Sequence, residues 1–217
     1  MTNEEYKQLS IKEFTEAAKR YEGDHAGLYE MCKKDYPDIF EELEKESFID
    51  LLDAGCGPAP MISLLSEKYP DRHYIGLDLT PAMIEEAKKK NIPNAVFVVG
   101  DCEKFPFEEN SFDAIICSMS FHHYPNPQAF FNSVKRCLRP KGRLILRDVT
   151  SDNKPLVWLM NKIEMPLANL CGHGDVQVPT RDLVYKCCKE ACLTIEKFEI
   201  RKGMRLHCVV RKEGDSK

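Results

Sequence analysis

The sequence predicts an α/β fold: a doubly wound, mostly parallel seven-stranded sheet with a C-terminal antiparallel hairpin, preceded by an N-terminal helical lid. Three observations predict it. Short apolar runs alternate with helical patterns from residue 48 to about residue 150, as in a parallel sheet with helices on both faces. The runs FIDLLD, HYIGLDL, AVFVVGD, FDAIICSMS and RLILRDV are near-continuous in apolar residues, as strands covered on both sides are. The last two runs, LTIEKFEI and RLHCVVRKE, are separated only by RKGM, and so short a connection forces a hairpin.

Residues 1–46 read as the helical lid and 47–217 as the main domain. In SIKEFTEAAKRYEG, Ser10 is the expected N-cap and Glu13 its capping-box partner. Leu28, Met31 and Cys32 form a second apolar stripe that ends near Pro37. The first strand, 48–53, leads into the helix MISLLSEKY, which stops at Pro70. After the second strand, PAMIEEAKKK is a helix with Thr80 as cap and Pro81 in its first turn. AVFVVGD and FDAIICSMS are the third and fourth strands. PQAFFNSVKRCL is a helix capped by Asn126, RPKG a turn, and RLILRDV the fifth strand. Residues 151–180 form an irregular, partly helical insertion that carries the only Trp. TRDLVYKCCKEACL returns to a helix before the hairpin.

A chain of 217 residues with 43% hydrophobic content suits one domain with an appendage. Its 31 basic and 35 acidic residues give a net charge of -4 without a basic tract, so no nucleic-acid partner is expected. No apolar run approaches the roughly 20 residues of a membrane helix. The N-terminus, MTNEEYKQLSIKEF, is charged and acidic, unlike a signal peptide. The expected location is the cytoplasm, with no membrane partner; the oligomeric state stays open. Cys102, Cys117, Cys137 and Cys208 sit singly in apolar patterns and read as small buried hydrophobes in a reducing cytosol. Cys187, Cys188 and Cys192 lie on a helical pattern and Cys171 is near His173, but no CxxC pair occurs, so no metal site is expected.

The stretch FIDLLDAGCGPAP breaks from a buried strand into glycines. In an open α/β sheet, ligands bind beyond the carboxyl ends of the strands. Gly55 and Gly57 at that end allow a tight turn and a close ligand approach, and the following helix is expected to aim backbone N–H groups at the ligand. Asp78 ends the second strand 21 residues after Gly57 (78 − 57), close to the roughly 20-residue spacing of a carboxylate that meets ribose hydroxyls. Asp101 ends the third strand and is placed to accept from an exocyclic amine such as that of adenine. A dinucleotide site needs a third glycine where Pro60 stands. Asp53 would also repel a pyrophosphate but suits an ammonium and a sulfonium. The sign favours S-adenosylmethionine over NAD.

These residues resemble the class I S-adenosylmethionine-dependent methyltransferases, in particular the small-molecule branch of ubiquinone- and menaquinone-biosynthesis-type enzymes. LLDAGCGPAP, YIGLDLTPAMIEEAKKK, VVGDCEKFPFEENSFDAIICSMSFHHYPNP and VKRCLRPKGRLILRD are similar to the family's motifs, in order. The resemblance implies a Rossmann-like fold in which Asp53, Gly55, Cys56 and Gly57 line the methionine end of the cofactor and Asp78 binds its ribose. It implies that Asp101 and Cys102 flank the adenine, that Leu79 and Met83 supply apolar walls, and that Ser118 and Phe121 face the methyl group. Ala59 and Pro60 depart from the family's usual Gly-containing continuation.

Methyl transfer needs alignment above all, and a base only if the acceptor must lose a proton. His122 and His123, just past the fourth strand, and His173 in the insertion are the candidate bases. Trp158, Met160, Met165 and Leu167 would give the insertion an apolar inner face. Tyr21 and Phe14 would place rings near the sulfonium, or simply pack. SMSF stands where nucleobase and amide methylases carry an Asn/Asp-Pro-Pro-aromatic motif, and Ser118 stands where metal-assisted catechol methylation needs carboxylates. A small metabolite is the expected acceptor. An NAD-dependent oxidoreductase and a non-catalytic cofactor-binding module are the alternatives.

Overall fold

The structure is a computed structural model and describes residues 1–23 and 28–214; the Leu28 side chain lies outside the described residues. The strands are β1 (Asp50–Ala54), β2 (His73–Asp78), β3 (Ala95–Val99), β4 (Phe112–Ser118), β5 (Leu138–Val149), β6 (Thr194–Arg201) and β7 (Arg205–Arg211). They form one sheet in the order β3-β2-β1-β4-β5-β7-β6. Pairings among β1 to β5 are parallel, and β7 runs antiparallel to both β5 and β6. The expected hairpin is present, but its second strand inserts between β5 and the first. RPKG is not a free turn: it bulges out within β5, between the Phe112–Leu138 and Ala114–Arg143 pairs.

Nine α-helices are described: α1 (Asn3–Ala17), α2 (Leu28–Lys33), α3 (Tyr36–Glu44), α4 (Pro60–Lys68), α5 (Pro81–Lys89), α6 (Pro127–Cys137), α7 (Lys154–Leu159), α8 (Met165–Leu170) and α9 (Arg181–Glu190). Alternate strand residues feed opposite cores. Leu52, Ile115 and Cys117 pack with Phe130, Val134, Val184 and Cys187 from α6 and α9. Leu51, Ala114 and Ile116 pack with Ile39, Leu43, Ile62, Leu65 and Ile84 from α3, α4 and α5. This explains why the central strands read as unbroken apolar runs. The boundary expected at residue 46 does not set α3 apart, since Ile39 and Leu43 belong to the core. Of the stripe expected around residue 30, Cys32 is buried and Met31 exposed.

The first helix begins earlier than Ser10. Thr2 is its N-cap and forms the capping box with Glu5. Ser10 lies inside α1, where its hydroxyl donates to the Gly174 carbonyl at 3.3 Å. Thr80 occupies the N-cap of α5 but makes no side-chain capping bond, whereas Asn126 does cap α6. All ten cysteines are free, and all but Cys171 and Cys192 are buried.

One buried charge cluster ties the N-terminal segment to the sheet. Asp35, fully buried just before α3, accepts from Arg147 of β5 through Nε at 3.1 Å and Nη2 at 2.8 Å. Arg205 of β7 also donates to it, through Nε at 3.0 Å and through Nη2. The Ser118 hydroxyl, at the carboxyl end of β4, is 3.3 Å from Asp35 Oδ2. The strand order reverses between β1 and β4, so the crevice for a ligand opens at their carboxyl ends.

Candidate functional site

The turn from β1 to α4 sits in that crevice. Gly55 has φ +79°, and a Cβ there would lie 1.9 Å from Ser120 Oγ. Gly57 has φ +54° with open space at its Cβ position. One glycine is therefore dictated by crowding and the other leaves a bare face for a ligand. Ala59, in place of a further glycine, also adopts a left-handed conformation, at φ 59°.

The N–H groups of the turn itself are used inside the protein. Gly55 and Cys56 donate to the Leu77 carbonyl at 2.8 and 3.1 Å, and Ala59 donates to the Cys56 carbonyl at 2.9 Å. Gly57 donates to Asp78 Oδ2 at 2.9 Å. Helix α4 then begins with Pro60, which has no N–H. This turn is a poor anion cradle, because its donors are taken up inside the protein and the groups facing the crevice are carboxylates.

Asp53 is 4% exposed, lines the crevice, and has no hydrogen bond or ion pair among the described residues. Burial, and secondarily the Asp78 carboxylate, push its pKa up to about 8. Asp78 also accepts from the Thr80 N–H at 2.8 Å. Burial raises its pKa, opposed by the Thr80 and Gly57 bonds. Asp78 therefore braces the glycine turn from the neighbouring strand as well as edging the crevice, a role the sequence did not suggest.

Two adjoining cavities, of about 570 and 460 Å³, share Gly55, Asp78, Ser120, Phe14 and His123. The first also gathers Asp53, Cys56, Gly57, Met83, Ser118 and Tyr21, with Cys32 and Tyr36. The second gathers Leu79, Asp101 and Cys102, with Lys7, Ser10 and Glu103. Asp101 is not free: Lys7 Nζ reaches its Oδ2 at 2.7 Å, and its Oδ1 accepts from the Glu103 N–H at 2.8 Å. No sequence signal marked Lys7. Its pKa is raised, since its two carboxylate partners, Asp101 and Glu103, together outweigh the single largest effect, burial. The Tyr21 hydroxyl meets Cys32 Sγ at 3.4 Å.

Phe121 does not face the crevice. It is 1% exposed and packs among Tyr124, Phe130 and Phe131 with ring centroids 5.3–5.9 Å away. The three candidate bases separate. His123 lines both cavities and stands edge-on to Phe14 at 5.1 Å. His122, its neighbour, is buried behind it: its Nδ1 is 2.7 Å from Asp148 Oδ1, and its backbone N–H donates to Asp148 Oδ2 at 3.1 Å. His173 lines neither cavity. It is exposed and bonded to Glu13 at 2.7 Å, while the Gly174 N–H donates to the same carboxylate at 2.9 Å. This pairing fastens the insertion to α1 and explains where Glu13 goes instead of capping.

Burial and the adjacent His122 press the His123 pKa down to about 4. For His122, burial is the largest single effect and opposes the charge, but the attraction of Asp148 and Asp175 raises its pKa on balance. The Glu13 bond raises that of His173. His123 is therefore the neutral imidazole at the cavity wall. The insertion's apolar residues do not turn inward as a set: Trp158 and Leu167 are exposed, while Met165 packs with Val157 and Val178, and Met160 against them.

Residues 52–146 match a family model described as a methyltransferase domain. A phthiotriol/phenolphthiotriol dimycocerosates methyltransferase of Mycobacterium tuberculosis is 32% identical over 145 residues, 62% of this chain and 54% of that protein. A demethylmenaquinone methyltransferase of Thermotoga maritima is 29% identical over 127 residues, 58% of this chain and 54% of that protein. The chain spans about half the length of the curated relatives it matches. A solved S-adenosylmethionine-dependent methyltransferase from Methanosarcina mazei superposes with TM-score 0.66 at 17% identity, over 83% of this chain and 99% of that one. That likeness is one of fold. No helix among the described residues is long and apolar enough to cross a membrane.

Proposed function

We propose that this chain, whose residues 52–146 match a methyltransferase-domain model, is a class I S-adenosylmethionine-dependent methyltransferase that transfers a methyl group to a small-molecule acceptor. The observation that carries the reading is Asp53: a buried carboxylate at the glycine turn, without a hydrogen-bond or ion-pair partner among the described residues. A buried lone carboxylate is costly unless a cation reaches it. With the turn's N–H groups already used, the crevice favours an ammonium and sulfonium ligand over a pyrophosphate.

When bound, S-adenosylmethionine supplies a methyl carbon on a cationic sulfur. Asp53 and the bare face of Gly57 hold the methionine end, and Asp78 offers its edge to the ribose. Leu79, Asp101 and Cys102 surround the base. The residues around the methyl carbon would position the acceptor in line with that carbon. If the acceptor begins as a hydroxyl or protonated amine, His123 is the imidazole at the cavity wall that would meet the proton, with a basicity lowered by burial and His122. Phe14, Tyr21 and Tyr36 give the acceptor side an aromatic wall. That suits an apolar metabolite, as do relatives named for phthiotriol dimycocerosates and demethylmenaquinone. Helices α1 and α2 act as the lid.

The test is calorimetric titration with S-adenosylhomocysteine and, separately, NAD, followed by turnover against an acceptor panel. Binding of the first and methyl transfer to a panel member are expected. Tight binding of NAD alone would replace this reading with an oxidoreductase, and binding without any turnover would favour a cofactor-binding module. Asp78→Ala is expected to weaken S-adenosylhomocysteine binding at least about tenfold, since it removes hydroxyl acceptors and the brace on Gly57; an unchanged affinity would reject the assignment.

Asp53 adds a proton signature. An acid raised to about 8 is mostly protonated at neutral pH. A cation that draws it into the ionised form releases its proton. Binding of S-adenosylmethionine should therefore release close to one proton at about pH 6.5 and about a quarter of one at about pH 8.5. Affinity should rise with pH across that window. Calorimetry in buffers of different ionisation enthalpy reads the number directly, and Asp53→Asn should remove the difference from any titration of the ligand itself.

A further inference from the structure

Behind the cavity wall, three electron-pair donors converge. His122 Nε2 and His123 Nδ1 each lie 3.4 Å from the same oxygen, Asp175 Oδ1. The two imidazole centroids are 4.1 Å apart. His123 Nδ1 is buried without a hydrogen-bond partner among the described residues. His122 is oriented from behind by Asp148, fully buried, at 2.7 Å from Nδ1. If Nδ1–H donates to Asp148, Nε2 presents a lone pair toward the Asp175 carboxylate, an acceptor facing an acceptor. Asp148 and Asp175 pair with no Lys or Arg among the described residues; their only ion-pair partners are these two histidines.

We propose that His122, His123 and Asp175 form a binding site for a divalent transition-metal ion of the zinc class. Two ligands 2.1 Å from a tetrahedral zinc lie about 3.4 Å apart, which is the spacing found on both sides of Asp175. All three donor atoms lie within 4.8 Å of one another, so the two histidine nitrogens need to close by at most about 1.4 Å (4.8 − 3.4) to reach tetrahedral spacing. Two imidazoles and one carboxylate leave a coordination position open, as catalytic sites do. The buried Asp148 behind His122 is the carboxylate–histidine arrangement that fixes the ligating tautomer. His123 also lines both cavities, so an ion here would sit at the wall of the proposed acceptor site, where it would polarise an acceptor oxygen. The acceptor role of the ion rests on the methyl-transfer reading, and with Nδ1 on the ion His123 would be a ligand in place of a base; metal titration without cofactor or acceptor tests the ion site separately.

The experiment strips the full chain with a chelator, then titrates it with Zn²⁺ against a chromophoric competitor and with Co²⁺ by visible absorption. One ion per chain at micromolar affinity or tighter is expected, with the intense bands of low-coordinate Co²⁺. His123→Gln and Asp175→Asn should each weaken binding at least about tenfold, and Asp148→Asn by about tenfold through loss of orientation. Each is compared with wild type only if its melting curve matches. The double variant Cys171→Ser, Cys192→Ser removes the exposed thiols and should leave binding unchanged. In the unmutated chain, nitrogen NMR of the imidazoles should show Zn²⁺ shifting one Nε2 and one Nδ1. Affinity weaker than millimolar, affinity indifferent to His123→Gln and Asp175→Asn, or binding lost with the two thiols would each overturn the site. In that case His122 simply shares a proton between Asp148 and Asp175.

Discussion

Replacing Asp35 by asparagine is expected to destabilise the protein by about 3–5 kcal/mol. The carboxylate is fully buried and receives both Arg147 and Arg205. An amide of the same shape keeps the packing and removes the negative charge, so two buried guanidinium groups then face each other across a neutral side chain. Arg147 retains its contact to Asp38 at 2.7 Å, and Arg205 retains the Met31 carbonyl at 3.2 Å. Neither replaces a shared buried counter-ion. For a chain of this length the loss corresponds to a melting point lower by about 10 °C. Urea unfolding followed by far-UV circular dichroism measures it. A loss below about 1 kcal/mol would mean that water enters and solvates the arginines. Because Ser118 also touches Asp35, the variant should loosen the floor of the crevice and lower ligand affinity as well.

Gly55→Ala is expected to abolish detectable cofactor binding, by about a hundredfold or more, and to cost about 2–4 kcal/mol of stability. The added Cβ would lie 1.9 Å from Ser120 Oγ and 2.5 Å from Ser120 Cβ, at φ +79°. Either the turn or the Ser120 segment must move, and both wall the cavity. The double variant Gly55→Ala, Ser120→Gly separates the two causes. It removes the two shortest contacts, leaves the Tyr124 hydroxyl at 3.0 Å and keeps the left-handed backbone on alanine, so it should recover most of the lost stability and leave about 1 kcal/mol. Equal stability in the single and double variants would show that backbone conformation, not the collision, requires glycine here.

The capping of α1 shows where local reading stops. Two stretches fit the same capping box, Thr2 with Glu5 and Ser10 with Glu13. The chain uses the first because Ser10 and Glu13 are committed elsewhere, to Gly174 and His173. Those partners lie 160 or more residues away in sequence, and no local pattern could name them. The histidines teach the same lesson at closer range. His122 and His123 are adjacent in a 3₁₀ turn, where successive side chains diverge by about 120°. One therefore meets Asp148 and the other the cavity. Phe121 failed as a crevice residue for the same reason: the third direction of that turn points into the aromatic core.

The sequence by itself determined the strand and helix series, the glycine turn and the two strand-end carboxylates, Asp78 and Asp101. Each is set by short-range backbone geometry: side-chain period, the left-handed residues a tight turn requires, and the place where a strand ends. Only the tertiary structure decided that β7 inserts between β5 and β6, that Asp35 joins two arginines, that Lys7 holds Asp101, and that Asp148 and Asp175 enclose the histidine pair. The side-chain pairings join residues from 26 to 170 positions apart. Such contacts form through packing of the whole sheet and its helices, whose long-range geometry no window of sequence contains.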